Sequence, residues 1–209
     1  MDILEIIALI LIIAQGVFTI QILNNVRYAL SKARKPRSGY RPRCALIVPC
    51  KGLDENFQQN IRSFYQQDYE GYSLIFVVDD ASDPACPVLG QLKEQHAGAS
   101  KAAEVRILIA GKTRRCSQKL HNLLFAVEHI DPDTEILAFA DSDACASPQW
   151  LSHLVYPLRE THKEKTGAST GYRWFLPKKN NFATLALSAV NAKVAQLLGN
   201  TRFKLAWGG

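Results

Sequence analysis

Asp141 and Asp143 stand two residues apart, directly after the apolar run Glu135–Ala140 (EILAFA) and before the small residues Ala144 and Ala146. At a strand end, two such carboxylates can share one hard cation while the backbone turns. Mg2+ or Mn2+ suits oxygen ligands and keeps positions open for phosphate oxygens. A diphosphate leaving group needs that cation, because charge builds on it as the bond to it breaks. A lone D-x-D is more often a pair of solvated turn aspartates; the apolar strand before this one and the order of elements around it reverse the balance.

Other polar residues fall at similar places. Asp79-Asp80 close the run Ser73–Val78 (SLIFVV), and Ser82, Asp83 and Pro84 follow. A carboxylate there can accept a hydrogen bond from a ribose hydroxyl or a base N–H. Equally, Ser82 or Asp83 can cap the next helix, and both roles are compatible. Lys51-Gly52 follow Pro49-Cys50 and put a cation and a flexible backbone after the first apolar run. Lys119 comes early in a helical stretch, where a cation can meet a phosphate. A single lysine is usually only a surface residue, so context carries both. Haloacid-dehalogenase-type phosphatases also use D-x-D, but on the first strand and followed by x-Thr. Here the pair follows the fourth strand, and Cys145 occupies the Thr position. A nucleotidyltransferase is a further alternative; its phosphate loop repeats glycines that Pro49-Cys50-Lys51-Gly52 lacks.

The elements that position these residues alternate. Strands are expected at Cys44–Pro49, Ser73–Val78, Glu104–Ala110 and Glu135–Ala140, and helices at Asn56–Gln67, Pro84–Gln95 and Ser117–Ile130. The third helix carries Leu120, Leu123, Leu124 and Val127 along one stripe and stops at Asp131-Pro132. A fourth helix is expected at Ser147-Pro148, with Ser as N-cap. The β-α order predicts an α/β fold, a mostly parallel sheet with helices on both faces. Ligands of such sheets sit beyond the carboxyl ends of the strands, where every polar cluster above falls.

Ile3–Leu23 is apolar over the length a bilayer core requires, broken only by Glu5, Gln15 and Gln21. Asp2 and Glu5 stand where a cleaved signal peptide carries positive charge, so a membrane anchor over residues 1–25 is expected. Seven basic residues (Arg27, Lys32, Arg34, Lys35, Arg37, Arg41, Arg43) crowd a juxtamembrane linker at 26–43. They account for the net charge of +6 and predict a cytosolic face for the domain at 44–209. No aromatic-interleaved basic stripe is present, so nucleic acid is not an expected partner. The five cysteines are scattered, with no Cys-x-x-Cys, and indicate neither a disulfide framework nor a zinc site.

Val48-Pro49-Cys50-Lys51-Gly52, Val77-Val78-Asp79-Asp80-Ala81-Ser82 and Asp141-Ser-Asp143, in this order, resemble family-2 inverting glycosyltransferases of the GT-A fold. Within them the chain looks most like the ceramide glucosyltransferase branch and its bacterial hopanoid-type relatives. The marks are the apolar N-terminus, P-x-K-G-x-D-x-N (Pro49, Lys51, Gly52, Asp54, Asn56) and Lys119 with Asn122. The resemblance implies a membrane-anchored enzyme moving a hexose from a UDP-sugar to a lipid hydroxyl with Mn2+ or Mg2+. It implies Asp80 on the uridine, Pro49, Lys51 and Lys119 near the donor, Asp143 as main metal ligand, and Asp141 on metal and donor. It also requires a general base, and residues 165–209 contain no Asp or Glu. The base is therefore expected beyond Gly209, in a longer enzyme of which this chain is a piece; a nucleotide-binding but catalytically incomplete polypeptide is the alternative. Thr170-Gly-Tyr-Arg173-Trp174 looks like the family's Q-x-x-R-W motif but has Thr for Gln, and is read as part of a later strand. Phe182–Leu198 is apolar around much of its circumference, fitting an interfacial or a core helix.

Overall fold

The computed structural model describes residues 2–33, 39–159, 166–171 and 179–197, without the side chains of 29, 32–33 and 193–197. Tyr172–Trp174 and the Gly208-Gly209 end lie outside them. Two compact units divide the chain, residues 1–36 with 170–209 and residues 37–169.

The second unit holds the sheet. Strands β1 (Cys44–Pro49), β2 (Ser73–Val78), β3 (Glu104–Ile109) and β4 (Ile136–Phe139) are all parallel, in the order β3-β2-β1-β4. β1 and β2 are central and read as unbroken apolar runs because both faces are covered. One face packs α2 (Phe57–Tyr65), α3 (Ala85–Gln95) and α5 (Trp150–Val155) through Phe64, Ile61, Leu89 and Leu151 onto Leu46, Val48, Leu74 and Phe76. The other packs α4 (Gln118–Glu128) through Leu123, Ala126 and Val127 onto Ala45, Ile47, Ile75 and Val77. The expected α/β fold with helices on both faces is what forms.

Two local expectations are corrected. Leu120 and Leu124 do not join the core: they are about half exposed, and only the Leu123–Val127 side of the stripe meets the sheet. Helix α5 starts at Trp150 behind Gln149, not at Ser147. The Ser147 and Pro148 carbonyls are taken instead by the Gln67 side chain (3.0 Å) and the Asp68 N–H (2.6 Å), which hold that stretch as a turn against the end of α2. β4 is an edge strand among the described residues, and its Leu137 and Phe139 stay partly open.

The first unit contains α1 (Ile3–Ala33) and α6 (Phe182–Leu197). Asp2 and Glu5 open α1 as a reciprocal capping box: Asp2 Oδ1 accepts from the Glu5 N–H at 2.8 Å, and Glu5 Oε2 accepts from the Asp2 N–H at 2.9 Å. Nothing in Asn24–Ala33 breaks a helix, so α1 runs ten residues past Leu23 into the stretch expected to be linker. Ile3–Tyr28 has a mean hydropathy of 2.5, none of that window is buried, and its length suffices to cross a bilayer.

Candidate functional site

In the order β3-β2-β1-β4, the strand order reverses at β1, which makes the gap between β1 and β4 a topological switch point, where the loops after parallel strands diverge and leave a crevice at their carboxyl ends. Pro49 ends β1, and the Asp141–Asp143 turn follows β4, closed by the Ala144 N–H donating to the Asp141 carbonyl at 3.1 Å. The sequence-predicted residues thus gather on one rim, although strands and helices alone do not fix its loops.

Polar contacts stitch those loops together. Gly52 adopts φ +64°, a left-handed conformation natural to glycine, and points its N–H at both Asp83 carboxylate oxygens (3.0 and 3.1 Å). Asp83 also accepts from the Ala85 N–H at 2.8 Å, so one side chain starts α3 and ties the β1 loop to the β2 loop. Asp80 Oδ1 accepts from the Ser82 N–H (2.9 Å) and hydroxyl (2.8 Å), while Oδ2 meets Lys112 Nζ at 3.1 Å. The β2 loop is thereby tied to the β3 loop. The Ser82 backbone bond first, then its hydroxyl and Lys112, lower the Asp80 pKa from 3.8 to about 2, and Asp80 in turn raises that of Lys112.

Gln118 joins the β3 loop to α4. Its amide nitrogen donates to the Gly111 carbonyl and to Asn122 Oδ1, both at 2.8 Å, and its oxygen accepts from the Thr113 N–H at 3.1 Å. Asn122 is buried beneath it. Ser117 caps α4, its hydroxyl accepting from the Leu120 N–H. Within the first turn of α4, Lys119 Nζ lies 2.7 Å from Asp141 Oδ1, closing the belt onto the β4 loop. Asp143 is exposed beside it, as is Lys51 on the β1 side.

Behind the belt, the segment after Asp143 is pinned to α2. The Ala146 N–H donates to Ser63 Oγ at 2.9 Å. Gln67, 1% exposed, donates to the Ser63 and Ser147 carbonyls and accepts from the Leu151 N–H. Sequence reasoning missed Gln67, Gln118 and Lys112, and gave Asp83 only a capping role. For Gln118 a signal existed, its i, i+4 spacing to Asn122; for Lys112, its place one residue past the third strand's loop glycine. Gln67 gave none, since its partners are 80 and 84 residues away.

Cys50, next to Lys51, is no nucleophile: burial pushes its thiol far up, and Cys44 is raised by burial to about 12. A shallow cavity of about 420 Å3 lies at the amino ends of the strands among Arg41, Arg43, Asp131 and Thr134. It touches none of the belt, whose open crevice leaves its ionic groups accessible to an anionic ligand.

Among the described residues no three metal-ligating side chains converge. Asp141 and Asp143 offer oxygen donors only, and Asp141 already holds a cation, the Lys119 ammonium. A two-carboxylate site completed by phosphate oxygens and water fits Mg2+ or Mn2+.

In an open parallel α/β sheet, the switch point over which this charged belt runs is where ligands bind. Residues 6–199 match the profile of Glycosyl transferase family 21, and the chain belongs to that family. It is similar to Ceramide glucosyltransferase 1 of Caenorhabditis elegans, 29% identical over 83 residues, which make up 40% of this chain and 17% of that protein. Ceramide glucosyltransferase 3 of the same organism is 26% identical over the same shares. The expected ceramide-glucosyltransferase resemblance is borne out, while the matched stretch spans under a fifth of these relatives. Among solved structures, the mannosyltransferase PcManGT of Pyrobaculum calidifontis, in complex with GDP-Man and Mn2+, superposes with a TM-score of 0.48 at 24% identity, over 73% of this chain and 44% of that one.

Proposed function

We propose that this chain carries the donor-binding part of a membrane-anchored glycosyltransferase that moves a hexose from a UDP-sugar to a lipid hydroxyl. The observation that carries the reading is the belt Gly52–Asp83, Asp80–Lys112, Gln118–Asn122 and Lys119–Asp141, which runs along the carboxyl rim of the sheet. Family membership supplies the reaction class, and the ceramide glucosyltransferase relatives supply the lipid acceptor.

Asp80 is oriented by Ser82 and stays ionised, so it accepts from a uridine or ribose donor group rather than giving a proton. Lys51 and Lys119 supply positive charge for the diphosphate, and Lys112 adds a third cation on the same rim. Asp143, with Asp141, is the place for a divalent ion, which when bound neutralises charge on the departing diphosphate. The acceptor hydroxyl then attacks the anomeric carbon from the face opposite the leaving group, which inverts the configuration. Its proton goes to a carboxylate acting as general base. The 31-residue α1 anchors the chain, and the basic residues after its apolar stretch hold the domain on the cytosolic face.

The test is a binding panel on the full chain in lipid nanodiscs, with UDP-glucose, UDP-N-acetylglucosamine, GDP-mannose and UTP. The reading expects both UDP-sugars to bind more tightly than GDP-mannose. A preference for UTP over either UDP-sugar points to nucleotidyl transfer instead and overturns it.

A further inference from the structure

Helix α6 is polar on its covered side and apolar on its open side. Over Phe182–Ala192, Asn191 is 7% exposed and Thr184 and Ser188 are half-buried, whereas Phe182 is 88%, Leu185 48%, Leu187 59% and Val190 62% exposed. At 100° per residue, Thr184, Ser188 and Asn191 share one narrow face, and the four large apolar side chains spread over about 200° of the remainder. A helix of a water-soluble domain turns its apolar stripe inward. The opposite arrangement, with small and polar residues toward protein and aliphatic and aromatic ones outward, is the pattern of a helix in hydrocarbon.

The polar groups at its start are also satisfied locally, as an apolar surrounding requires. Asn181 Oδ1 accepts from the Thr184 N–H at 2.9 Å, and the Thr184 hydroxyl donates back to the Asn181 carbonyl at 3.1 Å. The same compact unit contains α1, whose apolar stretch Ile3–Tyr28 is wholly unburied. Both helices of this unit thus leave large apolar side chains exposed.

We propose that α6 is a second membrane-embedded helix, with Phe182, Leu185, Leu187 and Val190 among the acyl chains of the bilayer that α1 crosses. This rests on the reading of α1 as the anchor. The sixteen residues described span about 24 Å at 1.5 Å each, which is enough to lie within one leaflet. Lys179 precedes it and can stay at the headgroups. A helix at that depth keeps the enzyme's protein surface where a lipid acceptor's headgroup emerges.

The full chain, reconstituted in phosphatidylcholine vesicles that carry a phospholipid with a diazirine in the acyl chain, is photolysed and its peptides are mapped by mass spectrometry. The expected result is adducts on both α1 and the Phe182–Ala192 peptide. A Leu187→Glu, Val190→Glu protein should lose the second set while still floating with vesicles. Adducts on α1 with none on α6 overturn the proposal and leave the anchor intact. Cross-links between α6 helices of two chains, in place of lipid adducts, overturn it in favour of a self-associating face. A chain that fails to float and gains no adduct on α1 overturns the anchor reading and the proposal with it.

Discussion

The ammonium of Lys119, in the first turn of α4, sits 2.7 Å from Asp141 Oδ1 in the turn that follows β4. A carboxylate read as part of a metal site is thus occupied by a protein cation. The two side chains are 49% and 31% exposed, so their pairing is worth at most about 1 kcal/mol, or roughly fivefold in affinity. Lys119→Met should therefore tighten Mn2+ binding to the nucleotide-free protein by a few-fold and weaken binding of UDP, which loses a phosphate contact. Paramagnetic titration of free Mn2+ reads the first effect. A variant that binds Mn2+ no more tightly than wild type shows that the ammonium does not compete for that position.

The β1 loop depends on Gly52 and Asp83 together. A Cβ at Gly52 meets nothing within 4 Å, so Gly52→Ala suffers only the strain of φ +64°, about 1–2 kcal/mol. Asp83→Ala removes the acceptor for the Gly52 and Ala85 N–H groups and should cost about 2 kcal/mol. Because both act on one loop, the double variant should lose less than the sum. Thermal unfolding of the three proteins provides the comparison, and strict additivity would indicate that the contact does not couple them.

Gln67 is the fold's most committed polar side chain, fully enclosed and using both its carbonyl and its amide. Gln67→Leu keeps the volume but strands the Leu151 N–H and removes the amide's bonds to the Ser63 and Ser147 carbonyls, leaving Ser147 only the Trp150 N–H. A loss of about 3 kcal/mol in denaturant unfolding is expected. Since the same side chain pins the segment after Asp143, metal-dependent UDP binding should weaken as well, even under conditions where the variant is folded.

Asp80 sets a pH dependence of known sign. Its folded pKa of about 2 lies below the ordinary 3.8, so its contribution to stability is full above about pH 4 and is lost as pH falls through 2. The stability difference between wild type and Asp80→Asn should stay constant from pH 5 to pH 8 and shrink only as the solution is acidified from about pH 4 toward pH 2. A difference that changes near neutrality would mean that Asp80 titrates there, against its bonds to Ser82 and Lys112.

Much of this was legible in the residues. Apolar runs such as SLIFVV mark buried parallel strands because both faces are covered, and the β-α order puts Asp80, Asp141 and Lys51 at carboxyl ends of strands, on one rim. Periodicity spoke less well at the margins. Leu120 and Leu124 fit the helical stripe yet are about half exposed, since spacing defines a stripe and not how wide a partner surface meets it. Ser147-Pro148 carried a good capping signal that Gln67 and Asp68 overrode from 80 residues away. The belt itself was half visible: its carboxylates and Lys119 stood out by type, while Lys112 and Gln118 matter only through the loops that the fold brings together.

The most direct measurement is a calorimetric titration of UDP into the full chain, with and without Mn2+, for wild type and Asp143→Ala. A donor site built on this rim predicts binding that Mn2+ strengthens in wild type, and a loss of that metal-dependent gain in Asp143→Ala with folding intact. Equal UDP affinity in both proteins with Mn2+ present would contradict it, by removing Asp143 from the metal and the metal from the grip on the donor.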